Sequence, residues 1–246
     1  MKLKDFSTSA PKEWDKAQIK IKIQELIKEL DELQNIMFAQ RKYSVLVVIQ
    51  GMDASGKDGL IKNIFTGINP MGCDVISFKA PTEEELSHDF LWRIHQHAPQ
   101  KGMIQVFNRS HYEDVLVTRV HNWIDDKLAE ERFRHINNFE KLLLSNNTIV
   151  LKFYLHISQE EQTKRLTERI NDPTKKWKYN ENDWEESKLW DSYMKMYEDV
   201  FENCSKDIPW IITPSDQNWM KEYTVIKTLV EEIKKLDLKY PEVKNT

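Results

Sequence analysis

The 246-residue chain has only two cysteines, no apolar run long enough to cross a bilayer, and no excess of one charge large enough to set its character. Cys73 and Cys204 stand alone, outside any CxxC or His-rich pattern, which excludes a disulfide framework and a zinc ribbon and predicts reduced, buried thiols. No window approaches the roughly eighteen apolar residues of a spanning helix, and the opening MKLKDFSTSAPKEW lacks the apolar core of an export signal. Both absences predict a soluble, cytoplasmic protein with no membrane partner. A formal net charge of −4 argues against nucleic acid held through bulk charge, so any polyanion must meet a local basic patch. There is also no repeat, low-complexity tract or Gly/Ser linker, and residues 1–246 are expected to form one domain.

What is present is an alternation. Ala17 to Gln40 carries Ile19, Ile23, Leu26, Ile27, Leu30, Leu33 and Met37 at spacings of three and four, which predicts an amphipathic helix over about residues 16–41. Its apolar face must dock somewhere, and a homo-oligomer, a dimer or tetramer, is one expected outlet. Five short apolar runs follow: SVLVVIQ (44–50), DVISF (74–78), MIQVF (103–107), TIVLKFYLHI (148–157) and PWIIT (209–213). Separated by helical segments and nearly continuous in hydrophobicity, they predict an α/β fold with a parallel sheet buried on both faces. Ser158 and Glu161 read as a capping box opening a helix towards Arg169, and Asp183 and Glu186 as a second one opening a helix towards Asn203.

The first run leads into GMDASGKDG and then LIKNIF, the order strand, glycine loop, helix that gives a Gly-x-x-x-x-Gly-Lys spacing its meaning. Gly51, Ala54, Ser55, Gly56, Lys57, Asp58 and Gly59 then form a phosphate cradle, with inward N–H groups, a helix N-terminus and the mobile Lys57 cation. Two acids complicate it. Asp53, in the turn itself, would repel phosphates unless a divalent cation stood between them, so it is read as a magnesium ligand. Asp58 takes the place of the usual Ser or Thr and has two readings, a metal contact or a first-turn acid favoured by the helix dipole.

The run MIQVF ends in Asn108, Arg109, Ser110, His111, Tyr112, Glu113 and Asp114, at the strand edge where open α/β sheets bind ligands. Arg109 can fork onto a phosphate, Asn108 can orient a phosphate oxygen or a metal-bound water, and Glu113 is the candidate second metal ligand, a base towards a phosphate acceptor, or a first-turn helix acid. Further on, Lys164 to Lys178 holds six cations against two anions in a chain that is acidic overall. Arg165 and Arg169 share a helix face, and with Lys175, Lys176 and Lys178 they predict a polyanion-holding lid over about residues 164–190. Trp177, Trp184 and Trp190 are read as helix-packing or base-stacking residues, and Lys79 and Arg93 as further candidates for the channel wall.

Taken together, GMDASGKDG, SFKAPTEEELSHDFLWRIH, FNRSHYEDVLV, RINDPTKKWKYNENDW and LWDSYMKMYEDVF resemble, in this order, the polyphosphate kinase 2 family and in particular its class III branch. The resemblance runs from about Asp5 to Trp219. It implies a phosphate-loop kinase fold like that of thymidylate kinase, a five-stranded parallel sheet sandwiched by helices, with a helical lid. It also implies a magnesium-dependent, reversible phosphotransferase that moves the terminal phosphoryl group of inorganic polyphosphate to AMP and ADP, giving ADP and ATP. The family's loop acid and lysine correspond to Asp53 and Lys57, its arginine to Arg109, its branch-specific glutamate to Glu113 and its lid arginines to Arg165 and Arg169. Other branches carry Asp where this chain has Asn108. The alternative is an ATP-dependent nucleoside monophosphate kinase of the same fold, against which Asp58 and Asn108 both count; a non-catalytic sensor is a third reading.

Overall fold

The computed structural model describes residues 1–242. Helix α1 (Lys16–Gln40) is capped by Asp15, whose carboxylate accepts from the Gln18 N–H, and it ends at Arg41 in the left-handed region. Then follow β1 (Ser44–Gln50), α2 (Lys57–Phe65), β2 (Cys73–Ser77), the short α3 (Glu83–Leu86) and α4 (Trp92–His95), and β3 (Ile104–Asn108). A 3-10 turn (His111–Val115) and α5 (Val117–Val120) lead to α6 (Asp126–Ser145), β4 (Thr148–His156) and α7 (Gln159–Asn171). The chain closes with α8 (Glu181–Lys188), α9 (Trp190–Asn203), β5 (Trp210–Pro214) and α10 (Asn218–Lys234). All five predicted strands form, shifted by no more than one residue at either end.

They make one parallel sheet in the order β2-β3-β1-β4-β5. Alternation along β1 explains the layers. Leu46 and Val48 face one apolar core with Phe133, Ile136 and Phe201, while Val45, Val47 and Ile49 face another with Leu30, Ile64, Val225 and Leu229. Central β1 is buried throughout, whereas edge strand β2 is not, so the expected burial on both faces holds only for the inner strands. The apolar stripe of α1 is spent within the chain, packed against α10 with Ile19, Ile23, Leu30 and Met37 buried. It therefore no longer argues for a partner subunit.

Two capping expectations need correction. Ser158 does accept from the Glu161 N–H, but the Glu161 carboxylate turns to Arg165 and Lys164 instead of closing the box. Asp183 and Glu186 open no helix: α8 starts earlier, capped by Asn180, and breaks before Trp190. Their carboxylates are drawn into tertiary contacts, Asp183 to Arg169 at 2.5 Å and Glu186 to Tyr193 at 2.5 Å and His121 at 3.0 Å. Among the described residues, no helix is long and apolar enough to cross a membrane.

Candidate active site

Sheet register builds the site. Asn108 pairs with Ile49 of β1 and with Ser77 of β2, so the ends of three strands come level at one edge, where the 51–56 loop leaves β1. The chain goes from β1 to one side of the sheet and later returns on the other with β4, the switch at which open sheets leave a crevice. A cavity of about 330 Å³ lies there. Asp53, Ala54, Gly56, Lys57, Asp58 and Gly59 form its floor, Ser77, Phe78, Lys79, Asn108 and Arg109 one wall, and Arg169, Trp177 and Lys178 a cover.

Two non-glycine residues in the left-handed region shape this floor, Ala54 and Arg109, both with φ of 62°. Such backbone is uncommon outside glycine and clusters where side chains must be aimed. Arg109 is aimed between two carboxylates, with Nη2 2.5 Å from Asp53 Oδ1 and Nη1 3.3 Å from Glu113 Oε2. Glu113 raises the Arg109 pKa and burial opposes it, with Asp53 adding to the rise, so the guanidinium stays charged. For Asp53, burial alone would push the carboxyl up. The surrounding cations, Lys57 first and then Arg109 and Arg169, outweigh burial and hold it below the usual carboxylate range.

Lys57 Nζ curls back to the carbonyls of Gly51 at 2.7 Å and Met52 at 3.1 Å. Burial, reinforced by the Arg109 charge, lowers its pKa to about 8 against the pull of Asp53, Glu113 and Asp58. Asp58 keeps both features of its two readings: it is a first-turn acid of α2, whose N-cap is Gly56, and it lines the cavity, where its Oδ1 accepts from Asn108 Nδ2 at 2.9 Å. The same amide reaches Ser77 Oγ at 3.2 Å, and the buried Asn108 Oδ1 has no hydrogen-bond partner among the described residues.

Not every predicted site residue gathers here. Gly51 and Ser55 support the loop from beneath, and Glu113 touches the site through Arg109. Lys175 is turned to Glu168 at 2.8 Å, and neither it nor Lys176 lines the cavity. Arg165, expected beside Arg169 on the lid, instead sits behind the phosphate loop, where its guanidinium donates to four backbone carbonyls. Arg93 is buried and holds the Lys79 carbonyl at 2.9 Å, so only Lys79 of that pair reaches the wall. Trp177 is 78% exposed on the cover, while Trp190 packs against the core.

Sequence reasoning missed what stands behind these groups. Lys152 on β4, fully buried, donates to Glu140 at 2.7 Å, Tyr112 Oη at 2.9 Å and the Cys204 carbonyl at 2.6 Å. Tyr112 and His111 also reach Glu140, at 2.7 and 3.4 Å, which pins the turn carrying Arg109 and Glu113 from below. Burial pushes the Glu140 carboxyl up, but hydrogen bonding from His111 and the Lys152 charge prevail and lower it. Lys221 was missed too. Both lysines had a visible signal: Lys152 interrupts an apolar strand, and Lys221 falls on the buried face of α10 with Val225, Leu229 and Ile233.

The family model described as polyphosphate kinase 2 matches residues 13–241. The AMP/ADP-polyphosphate phosphotransferase of Meiothermus ruber is 46% identical over 218 residues, spanning 88% of this chain and 82% of that protein. The ADP-polyphosphate phosphotransferase of Rhodopseudomonas palustris is 42% identical over 229 residues, spanning 88% and 79%. Among solved structures, polyphosphate kinase 2 from Arthrobacter aurescens TC1 superposes with a TM-score of 0.97 at 38% identity, covering 100% of this chain and 89% of the other.

Proposed function

The chain belongs to the polyphosphate kinase 2 family, and from that premise we propose that it transfers the terminal phosphoryl group of inorganic polyphosphate to AMP and ADP, giving ADP and ATP. The observation that carries this reading is the bracing of Arg109 between Asp53 and Glu113 at the cavity that Lys57 also lines. Phosphoryl transfer asks little covalent chemistry of a protein and much positioning and charge neutralisation. An already ionised nucleotide phosphate needs no strong base. What the site supplies fits: Lys57, anchored on the loop carbonyls, holds a cation at the cavity floor for a donor phosphate, and Arg109 offers a fixed planar cation where charge spreads over the transferring group. Lys79, Arg169 and Lys178 face the same cavity and suit a long polyanion.

Magnesium belongs to the same reading. Among the described residues, no three His, Cys, Asp or Glu side chains form a ready cage. A small hard cation that keeps its waters and borrows substrate phosphates needs only one or two carboxylates. Asp53 and Glu113 would hold it, with Asp58 and the unpartnered Asn108 Oδ1 on the same wall. When bound, it neutralises phosphate charge that the two carboxylates would otherwise repel. A homo-oligomer, dimer or tetramer, is also part of the proposal, and sedimentation velocity measures it; exposed Trp123, Leu128, Leu142 and Leu144 are among the apolar side chains open to a partner.

The deciding experiment incubates the protein with magnesium, polyphosphate and AMP, without ATP. Appearance of ADP and then ATP is expected. Turnover of AMP only when ATP replaces polyphosphate would give the site to a nucleoside monophosphate kinase, and ligand binding without turnover would make it a sensor.

A further inference from the structure

Behind the phosphate loop, on the side away from the cavity, stands a lysine that the reaction described above does not use. Lys221, in the first turn of α10, is 1% exposed. Its Nζ donates to the Ser55 carbonyl at 3.0 Å and to Asn218 Oδ1 at 2.7 Å. The approach to the loop is so close that a Cβ at Gly56 would stand 2.2 Å from this Nζ, and Gly56 itself has φ of +96°. The backbone conformation thus calls for glycine at 56, and a side chain there would have to push the end of Lys221 aside. Arg165 works on the same peptide, with Nη1 donating to Ala54 O at 3.1 Å and Ser55 O at 3.0 Å. Its Nη2 ties the loop to Ser215 O at 2.9 Å and Asp216 O at 2.7 Å.

The two groups of a trans peptide point in opposite directions. Holding the Ser55 carbonyl backward therefore turns the Gly56 N–H forward, and among the described residues that N–H has no hydrogen-bond partner. Gly56 lines the cavity. We propose that Lys221 is a positioning residue for phosphoryl transfer, whose ammonium draws the Ser55 carbonyl back and so presents the Gly56 N–H, with a positive charge behind it, to the donor phosphate. This rests on the polyphosphate reading of the site.

The groups facing Lys221 give the proposal a pH signature. Arg165 and Glu161 face it from α7, Lys57 from α2 and Glu222 from its own helix, Glu222 also accepting from Asn63 of α2 at 2.6 Å. The Asp216 carboxylate is turned away to Thr8 and Ser9. Burial, then the Arg165 charge, lowers the lysine to about 7, with Glu222 and Glu161 opposing. In the free protein the ammonium is accordingly lost as pH rises through neutrality, and a bound polyanion restores it.

The test compares wild type with Lys221→Met, which keeps the length and removes the charge. Wild type must first form ADP from AMP and polyphosphate; if it does not, the functional reading falls, and Lys221 is judged by inorganic triphosphate binding in a calorimeter instead. Lys221→Met is expected to raise the polyphosphate KM about tenfold, the scale of one charged hydrogen bond, with the AMP KM unchanged. The decline in kcat/KM for polyphosphate through about pH 7 should be present in wild type and absent in the variant, which keeps only the later decline of Lys57 at about 8. Wild-type KM with an unchanged pH profile overturns the proposal, and so does a loss shared by both substrates with the profile intact. Should Lys221→Met not fold, Asn218→Ala decides in its place: it releases Nζ from one acceptor, and a polyphosphate KM equal to wild type overturns the proposal.

Discussion

The floor of the cavity and its cover use the same residue types in opposite ways. At the floor Lys57, and behind the loop Lys221, are buried and anchored on backbone carbonyls, and on the adjoining wall Arg109 is braced by two carboxylates. On the cover, Trp177 is 78% exposed, and Lys175 pairs with Glu168 in an ion pair open to water on both sides. Charges fixed in a water-poor site act strongly on a developing phosphoryl charge because nothing must reorganise. Exposed pairs are screened and worth little, which under the proposed function suits a segment that opens for a long polymer. Under the proposed function, the contrast assigns chemistry to the floor and capture to the cover.

The sharpest way to break that contrast is to strip the floor. Lys57→Ala or Asp53→Asn should lower kcat by roughly a thousandfold, as loss of a preorganised charged donor or of its partner does, with the circular dichroism spectrum unchanged. Steady-state rates read the loss, and rates near wild type would return the chemistry to the cover.

Next comes stability. Glu140→Ala leaves Lys152 buried and unpaired and should cost about 3–5 kcal/mol in chemical denaturation. Glu168→Ala, the matching change at the exposed Lys175, should cost no more than about 1 kcal/mol. Equal costs would erase the distinction between the two regions.

A third expectation concerns pH. Lys57 and Lys221 are held at about 8 and about 7, below the ordinary lysine value of the unfolded chain. The unfolded state therefore binds more protons from neutrality up to about pH 10, and stability should rise with pH across that window. Denaturant midpoints at about pH 6.5 and about pH 9 measure the rise. Lys221→Met should flatten it.

The smallest effect belongs to the cover itself. Lys178→Ala should raise the polyphosphate KM by about twofold to fivefold at low salt and by less as salt screens it, with kcat kept.

Much of this was legible in the chain. The strand, glycine loop and helix around Asp53 and Lys57 are local signals, and the structure keeps them almost residue for residue. Arg109 was legible as a candidate phosphate ligand but not as the bridge between Asp53 and Glu113, because that bridge depends on β3 lying beside β1. Arg165 was misplaced: its spacing from Arg169 says that they share a helix face, not that one end of α7 abuts the loop while the other reaches the cover. Asp183 and Glu186 fit the capping pattern, but opposite charges and a hydroxyl from other elements outbid the local cap.

The sequence by itself determined the alternating elements, the phosphate loop and the family, since these rest on periodicity and on short ordered motifs. Only the tertiary structure decided that Asp58 faces the cavity, that Arg165 and Lys221 hold the loop from behind, and that Lys152 and Glu140 support the turn beneath Arg109. The physical reason is the same in each case. A buried charge acquires its role from partners far away in the chain, and only packing determines which partners those are.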